Sequence, residues 1–91
     1  LKVGDRVIIQ RDLQNTYDSN AIMALTMDKK EIGFISADWA VIYAPKIDMG
    51  MTFDAEISSI EPKVINIKIK RNNPEIEIIY DFFKMQVFKN N

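Results

Sequence analysis

Hydrophobic and polar residues alternate with period two over two long stretches of the chain. Met51, Phe53, Ala55 and Ile57 interleave with Thr52, Asp54, Glu56 and Ser58, and Ile65, Ile67 and Ile69 interleave with Asn66, Lys68 and Lys70. That period belongs to a strand with one face in a core and the other in water. Pro62-Lys63 turns the chain between them, so the two form an antiparallel hairpin. Upstream, a turn at Gly4-Asp5 leads into Arg6 to Gln10, where the run Val7-Ile8-Ile9 predicts a strand covered at least partly on both faces. Ala21 to Met27 is apolar on both faces, Asp28-Lys29-Lys30 is a polar turn, and Glu31 to Ile35 completes another hairpin. Gly33 permits a bend or a close backbone approach at its centre.

Helical spacing appears at Ala37, Ala40, Tyr43, Ala44 and Ile47. Ser36 is the expected N-cap, and Asp38 suits the positive start of a helix. Pro45 lacks an N–H and disfavours helical angles at Ala44, so the helix covers roughly Ala37 to Ala44 and ends or kinks there; one looser turn to Ile47 is the alternative. Asp48-Met49-Gly50 reads as a loop, and Asn72-Asn73-Pro74 as a turn. Beyond it, Ile76, Ile78, Tyr80 and Phe82 share one parity, while Phe83, Met85 and Val87 share the other. A strand with a bulge near Phe82-Phe83 is the first expectation. A C-terminal helix is the second, since Ile79, Phe82, Phe83 and Gln86 also lie close at helical spacing. Burying each of these large side chains is worth roughly 1.5–3 kcal/mol, so any that the domain cannot hide call for a symmetric dimer or an exchanged C-terminal arm.

The chain has 91 residues and 47% hydrophobic content, which suits one compact domain. Residues 1–71 form its barrel and residues 72–91 an apolar extension of the same domain. The net charge of −1 argues against a generic duplex binder, whose affinity comes from Lys and Arg displacing counterions; any DNA contact is therefore local and modest. Cysteine and histidine are both absent, which excludes disulfides, thiol nucleophiles, histidine acid–base chemistry and the usual zinc sites. No remaining side chains show a catalytic spacing, so neither an enzyme nor a cofactor is expected. No apolar run approaches ~20 residues and no basic-then-apolar start is present, so the expectation is a cytoplasmic protein without a membrane span.

The segment from Arg11 to Ile22 joins the first two strands and is rich in hydrogen-bonding side chains. Asp12, Asn15, Asp18 and Asn20 can each accept from a nearby backbone N–H, which shapes a loop of this length without glycine. A stacking ring, Tyr17, a phosphate-matching fork, Arg11, and an acceptor, Asp18, together suit the end of a single nucleic-acid strand. The competing reading folds Tyr17 back onto the barrel wall and leaves Arg11 a solvated strand end. Asp12, Asp18 and Asp38 suggest a nuclease-like metal set, since hard cations take carboxylate oxygens; Asx-turns explain the loop acids better, and no metal site is expected. Trp39 is either a barrel lid or a second stacking platform. Lys63, Lys68, Lys70 and Arg71 form either a solvated edge face or a groove that tracks phosphates.

Arg11-Asp12, Asn15-Thr16-Tyr17-Asp18-Ser19-Asn20-Ala21-Ile22, Ile32-Gly33-Phe34-Ile35, the Ala44-Pro45 pair and Gly50 together resemble the HIRAN domain. The likeness runs from about Val3 to Ile69. That family occurs as an N-terminal module of repair-associated helicase-like translocases, as a small bacterial protein and in fusions to DNA-processing enzymes. The resemblance implies a mainly β fold, a small OB-like or SH3-like barrel of about six strands with one or two short helices. It also implies a module that binds DNA ends or single-stranded DNA, the 3′ end above all, beside a catalytic DNA-processing partner. On this resemblance Tyr17 stacks on a terminal base, Asp18 accepts from the terminal hydroxyl, Arg11 meets phosphate and Asn20 shapes the loop. Phe34, Trp39, Lys68 and Lys70 complete the expected nucleic-acid-binding set. The chain lacks the aromatic-rich segment that eukaryotic members carry before the first strand. It has Phe34 and Ala37 where they place a polar or basic residue and a lysine.

Overall fold

The computed structural model describes residues 1–72 and 82–89. Six strands close into a barrel: β1 (Arg6–Arg11), β2 (Ile22–Thr26), β3 (Glu31–Ile35), β4 (Thr52–Ile60), β5 (Val64–Asn72) and β6 (Phe82–Lys89). The single helix among the described residues, α1 (Ala37–Asp48), links β3 to β4. The architecture is two antiparallel meanders, β1-β2-β3 and β4-β5-β6, sealed where β1 meets β4 and β3 meets β6. The expected mainly β barrel of about six strands is the observed one.

The alternating stretches deliver the core. Ala55, Ile57, Ile65, Ile67 and Ile69 are buried, joined by Val7, Ile22, Ala24, Ile32, Ile35 and Val87. In β3 the pairing shifts, with Ala24 opposite Gly33 but Leu25 opposite Glu31, so Ile32 is the extra residue of a bulge. The bulge lets Ile32 and Ile35 both face inward despite their odd spacing. A second shift in β4, at Ser58, ties Ser58 and Ser59 to Asn66 through side-chain hydrogen bonds of 3.1 and 2.7 Å.

The expected end of α1 needs correcting. The helix does not end near Ala44 but runs through Pro45 to Asp48. The turn is closed from beyond the proline: the N–H of Met49 donates to the Pro45 carbonyl at 3.0 Å, that of Gly50 to Ile47, and that of Met51 to Lys46. The last two bonds form a Schellman motif with Gly50 in the left-handed region at φ +95°. Ser36 occupies the N-cap position, yet its side chain makes no capping bond. Ala40, Tyr43 and Ala44 seat the helix on the core, and the Tyr43 ring meets Phe53 edge-on at 5.3 Å.

The C-terminal segment is a strand in its described part, not a helix, and its register with β5 is unbroken from Lys70↔Phe82 to Val64↔Phe88. No bulge interrupts that pairing. The turn expected at Asn72-Asn73-Pro74 and the burial expected of Ile76, Ile78, Ile79 and Tyr80 fall outside the described residues. Among the described residues no helix is long and apolar enough to cross a membrane.

Candidate functional site

Antiparallel pairing places the end of β1, the start of β2, the end of β3 and the start of β4 at one rim of the barrel. The β1–β2 loop and α1 therefore share that rim. Residues 12–21 form the loop, closed at its foot by the Asp12 N–H donating to the Ala21 carbonyl at 2.9 Å. Inside it, the side-chain turns foreseen from the sequence are made. Asp12 Oδ1 accepts from the Gln14 N–H at 3.3 Å, and Asp18 Oδ1 accepts from the Asn20 N–H at 2.8 Å. Asn15 Oδ1 accepts two N–H groups, from Tyr17 at 2.8 Å and from Asp18 at 2.9 Å. Asn20 contributes its N–H to these turns rather than accepting in one.

This bracing fixes the backbone on either side of Tyr17 while leaving its ring 99% exposed. The reading in which the ring folds back onto the barrel wall is overturned. Below the loop lies a hollow of about 150 Å³ walled by Gln10, Arg11, Asp12, Met23, Leu25 and Glu31. A second, of about 350 Å³ and walled by Ile9, Ile47, Gly50, Met51, Thr52 and Phe53, opens beside the end of α1. Tyr17 walls neither hollow; it stands clear of them.

Arg11 is not a solvated strand end. Its Nε donates to Asp48 Oδ1 at 3.0 Å, Nη1 to the Ala21 carbonyl and Nη2 to the Ser19 carbonyl, both at 2.7 Å. The side chain is 11% exposed. The fork expected to meet phosphate is thus engaged by its own protein, because loop and helix converge on it from two sides. Sequence reasoning missed Asp48 as its partner; the signal was present in Gly50, which marks a helix end beyond Pro45 and hence an acid in the last turn.

The remaining candidates belong to other elements. Trp39 is half-buried against the core in the first turn of α1, its ring tilted against Tyr43 at 6.1 Å. That is the packing arrangement, at the end of the helix away from Asp48, about 14 Å along its axis. Phe34 is half-buried on β3, opposite Met23 of β2. Lys68 and Lys70 sit on β5 with Glu56 and Asp54 as their cross-strand partners, and Arg6 pairs with Glu56 from the other side. These five residues and Ala55 wall a hollow of about 320 Å³. On the β4 side carboxylates stand between these cations, while on β6 the register partner of Lys68 is Lys84. Asp12 and Asp18 are turned to backbone N–H groups, and among the described residues no three acids gather to hold a metal.

Asp28, in the β2–β3 turn, has a shifted carboxyl. There the Thr26 hydroxyl donates to Asp28 Oδ1, which holds the Asp28 carboxyl below its ordinary 3.8.

A sequence profile described as the HIRAN domain matches residues 1–75. No curated protein and no solved structure matches the chain.

Proposed function

The chain belongs to the HIRAN domain family, a nucleic-acid-binding rather than a catalytic module, and from that premise we propose that it takes hold of DNA ends or single-stranded DNA beside a catalytic partner in repair or processing. The observation that carries this reading is Tyr17: a ring 99% exposed on a loop whose backbone is locked on both sides of it. An aromatic side chain left in water forgoes the stabilisation of burial, roughly 1.5–3 kcal/mol, and a rigid loop presents it without a cost in ordering on binding. Stacking on a terminal base recovers that apolar area. Asp18 uses Oδ1 to hold the Asn20 N–H, and its second oxygen accepts from the terminal sugar hydroxyl. Asn20 shapes the loop. With a net charge of −1 and carboxylates opposite Lys68 and Lys70 on β4, phosphate contacts contribute little.

Titration of short single strands with free or blocked 3′ ends tests this reading. Tyr17→Ala lowers affinity roughly five- to a hundred-fold, the contribution of one stacked base. Removing Mg²⁺ leaves binding unchanged, as suits a module without a two-metal centre. Equal, weak binding by the unmodified protein and Tyr17→Ala would sink the proposal.

A second reading is a protein-interaction or dimerisation module that uses the apolar C-terminal arm, most of which lies outside the described residues, with DNA binding lost. Exposed apolar side chains on α1 and at its C-cap also suit it. Val41 is 55% exposed, Ile42 49% and Met49 83%. Absence of strand binding together with a concentration-dependent mass in light scattering favours it.

A further inference from the structure

Arg11 hydrogen-bonds both to the β1–β2 loop and to the end of α1, and its geometry assigns it a task other than holding phosphate. One edge of the guanidinium holds Asp48 Oδ1 at the end of α1 at 3.0 Å. The other holds the carbonyls of Ser19 and Ala21 at 2.7 Å each. Those carbonyls flank Asn20, whose N–H is tied to Asp18 Oδ1. The cation therefore grips the returning limb of the loop within two residues of Tyr17-Asp18, while Asn15 grips the outgoing limb.

Three features make this a built arrangement rather than a chance contact. With 11% of the side chain exposed, little of it remains for an incoming phosphate. Asp48 is the last residue of α1, where the helix dipole is negative and an acid is unfavourable unless a cation answers it. The helix reaches Asp48 only by continuing a turn past Pro45 and closing with a left-handed Gly50. The guanidinium makes these bonds from three nitrogens held in one plane, whereas an ammonium offers its donors from a single point.

We propose that Arg11 and Asp48 are a positioning pair that couples α1 to the pose of Tyr17 and Asp18, with Arg11 making no phosphate contact in the complex. This rests on the nucleic-acid reading above and deepens it. The proposal has an opposite sign from the alternative. If Arg11 bound phosphate, Asp48 would compete with the ligand, and its removal would free the cation and tighten binding. If the pair positions the loop, removing Asp48 loosens the stacking ring and weakens binding.

The experiment uses the full chain with Asp48→Asn, Arg11→Gln and Tyr17→Ala, titrated with a short single-stranded oligonucleotide across a salt series. Asp48→Asn keeps an oxygen for Arg11 Nε and lies at a half-exposed position, so its melting curve serves as the folding control. Exchanging a charge-assisted bond for a neutral one roughly halves its strength, and the expected loss of affinity is roughly three- to tenfold. Arg11→Gln weakens binding roughly as much as Tyr17→Ala, five- to a hundred-fold, and the double variant is no weaker than Tyr17→Ala alone. The slope of log affinity against log salt stays that of the unmodified protein in both pair variants. In the DNA-free protein, amide exchange at Tyr17 and Asp18 speeds up when either member is replaced.

Tighter or unchanged binding by Asp48→Asn overturns the proposal, as does a salt slope shallower by about 0.7 for Arg11→Gln, the mark of one lost phosphate contact on a single strand. If the unmodified protein binds no strand, the nucleic-acid reading falls separately. The exchange measurement needs no DNA, and unchanged exchange in both variants overturns the pair itself.

Discussion

Asn15 illustrates how one side chain sets the geometry of a site it does not belong to. Its Oδ1 accepts the N–H groups of Tyr17 and Asp18, so replacing it leaves two donors to be satisfied by water and frees the backbone that carries the ring. Asn15→Ala is expected to lower stability by about 1 kcal/mol in chemical denaturation. It also lowers strand affinity, whereas Tyr17→Ala changes stability by less than about 0.5 kcal/mol because the ring touches little of its own protein. Asp28 carries the pH dependence that can be assigned to one residue. Its carboxyl is held below 3.8 chiefly by the Thr26 hydroxyl; desolvation opposes this, and its backbone and Lys30 contacts add smaller lowering effects. A depressed folded value means that the stabilisation is present above 3.8 and is lost as pH falls through the folded value. Thr26→Val should return the Asp28 titration toward 3.8, read by NMR; an unmoved titration would remove the hydroxyl as the cause. The Asx-turns were legible in the sequence because each acceptor serves an N–H within three residues. Arg11 was not, because its carboxylate partner lies 37 residues away.

Among the elements, α1 departs most from its sequence pattern. A proline removes one N–H and crowds the preceding turn, which justified ending the helix near Ala44. The chain past the proline nevertheless holds a helical turn, because the carbonyls of Pro45, Lys46 and Ile47 all find donors in Met49, Met51 and Gly50. Gly50 makes this possible. A Cβ at that position would meet nothing within 4 Å, so the cost of Gly50→Ala is backbone strain alone. About 1–2 kcal/mol of destabilisation is expected from thermal or denaturant unfolding, with Asp48 less firmly presented to Arg11. A loss below a few tenths would mean that the left-handed cap is dispensable. The β3 bulge teaches a related lesson. Ile32 and Ile35 break period two, and only the pairing of Ala24 with Gly33 and of Leu25 with Glu31 shows how both reach the core.

For the whole molecule, closure is the decisive event. The family match ends at residue 75, yet β6, which begins at Phe82, stands between β3 and β5 and buries Val87 completely. Without it, β3 and β5 would present unpaired edges, and the core would open along that seam. A chain cut after Asn72 should therefore lose its cooperative melting transition in circular dichroism; a full-length-like transition would show that β6 is an accessory. The amino-acid order by itself determined the strands, the hairpins, the inward faces and the self-braced loop, since these depend on side-chain period and on bonds between near neighbours. It left the pose of Tyr17 open between stacking outward and packing inward, and the fold exposed the ring. Tertiary structure alone decided which strand edges meet and that carboxylates stand opposite Lys68 and Lys70. It alone gave the guanidinium of Arg11 to Asp48 and the loop. Register between distant strands and contact between a loop and a helix end depend on how the barrel closes, and a local pattern carries no record of that.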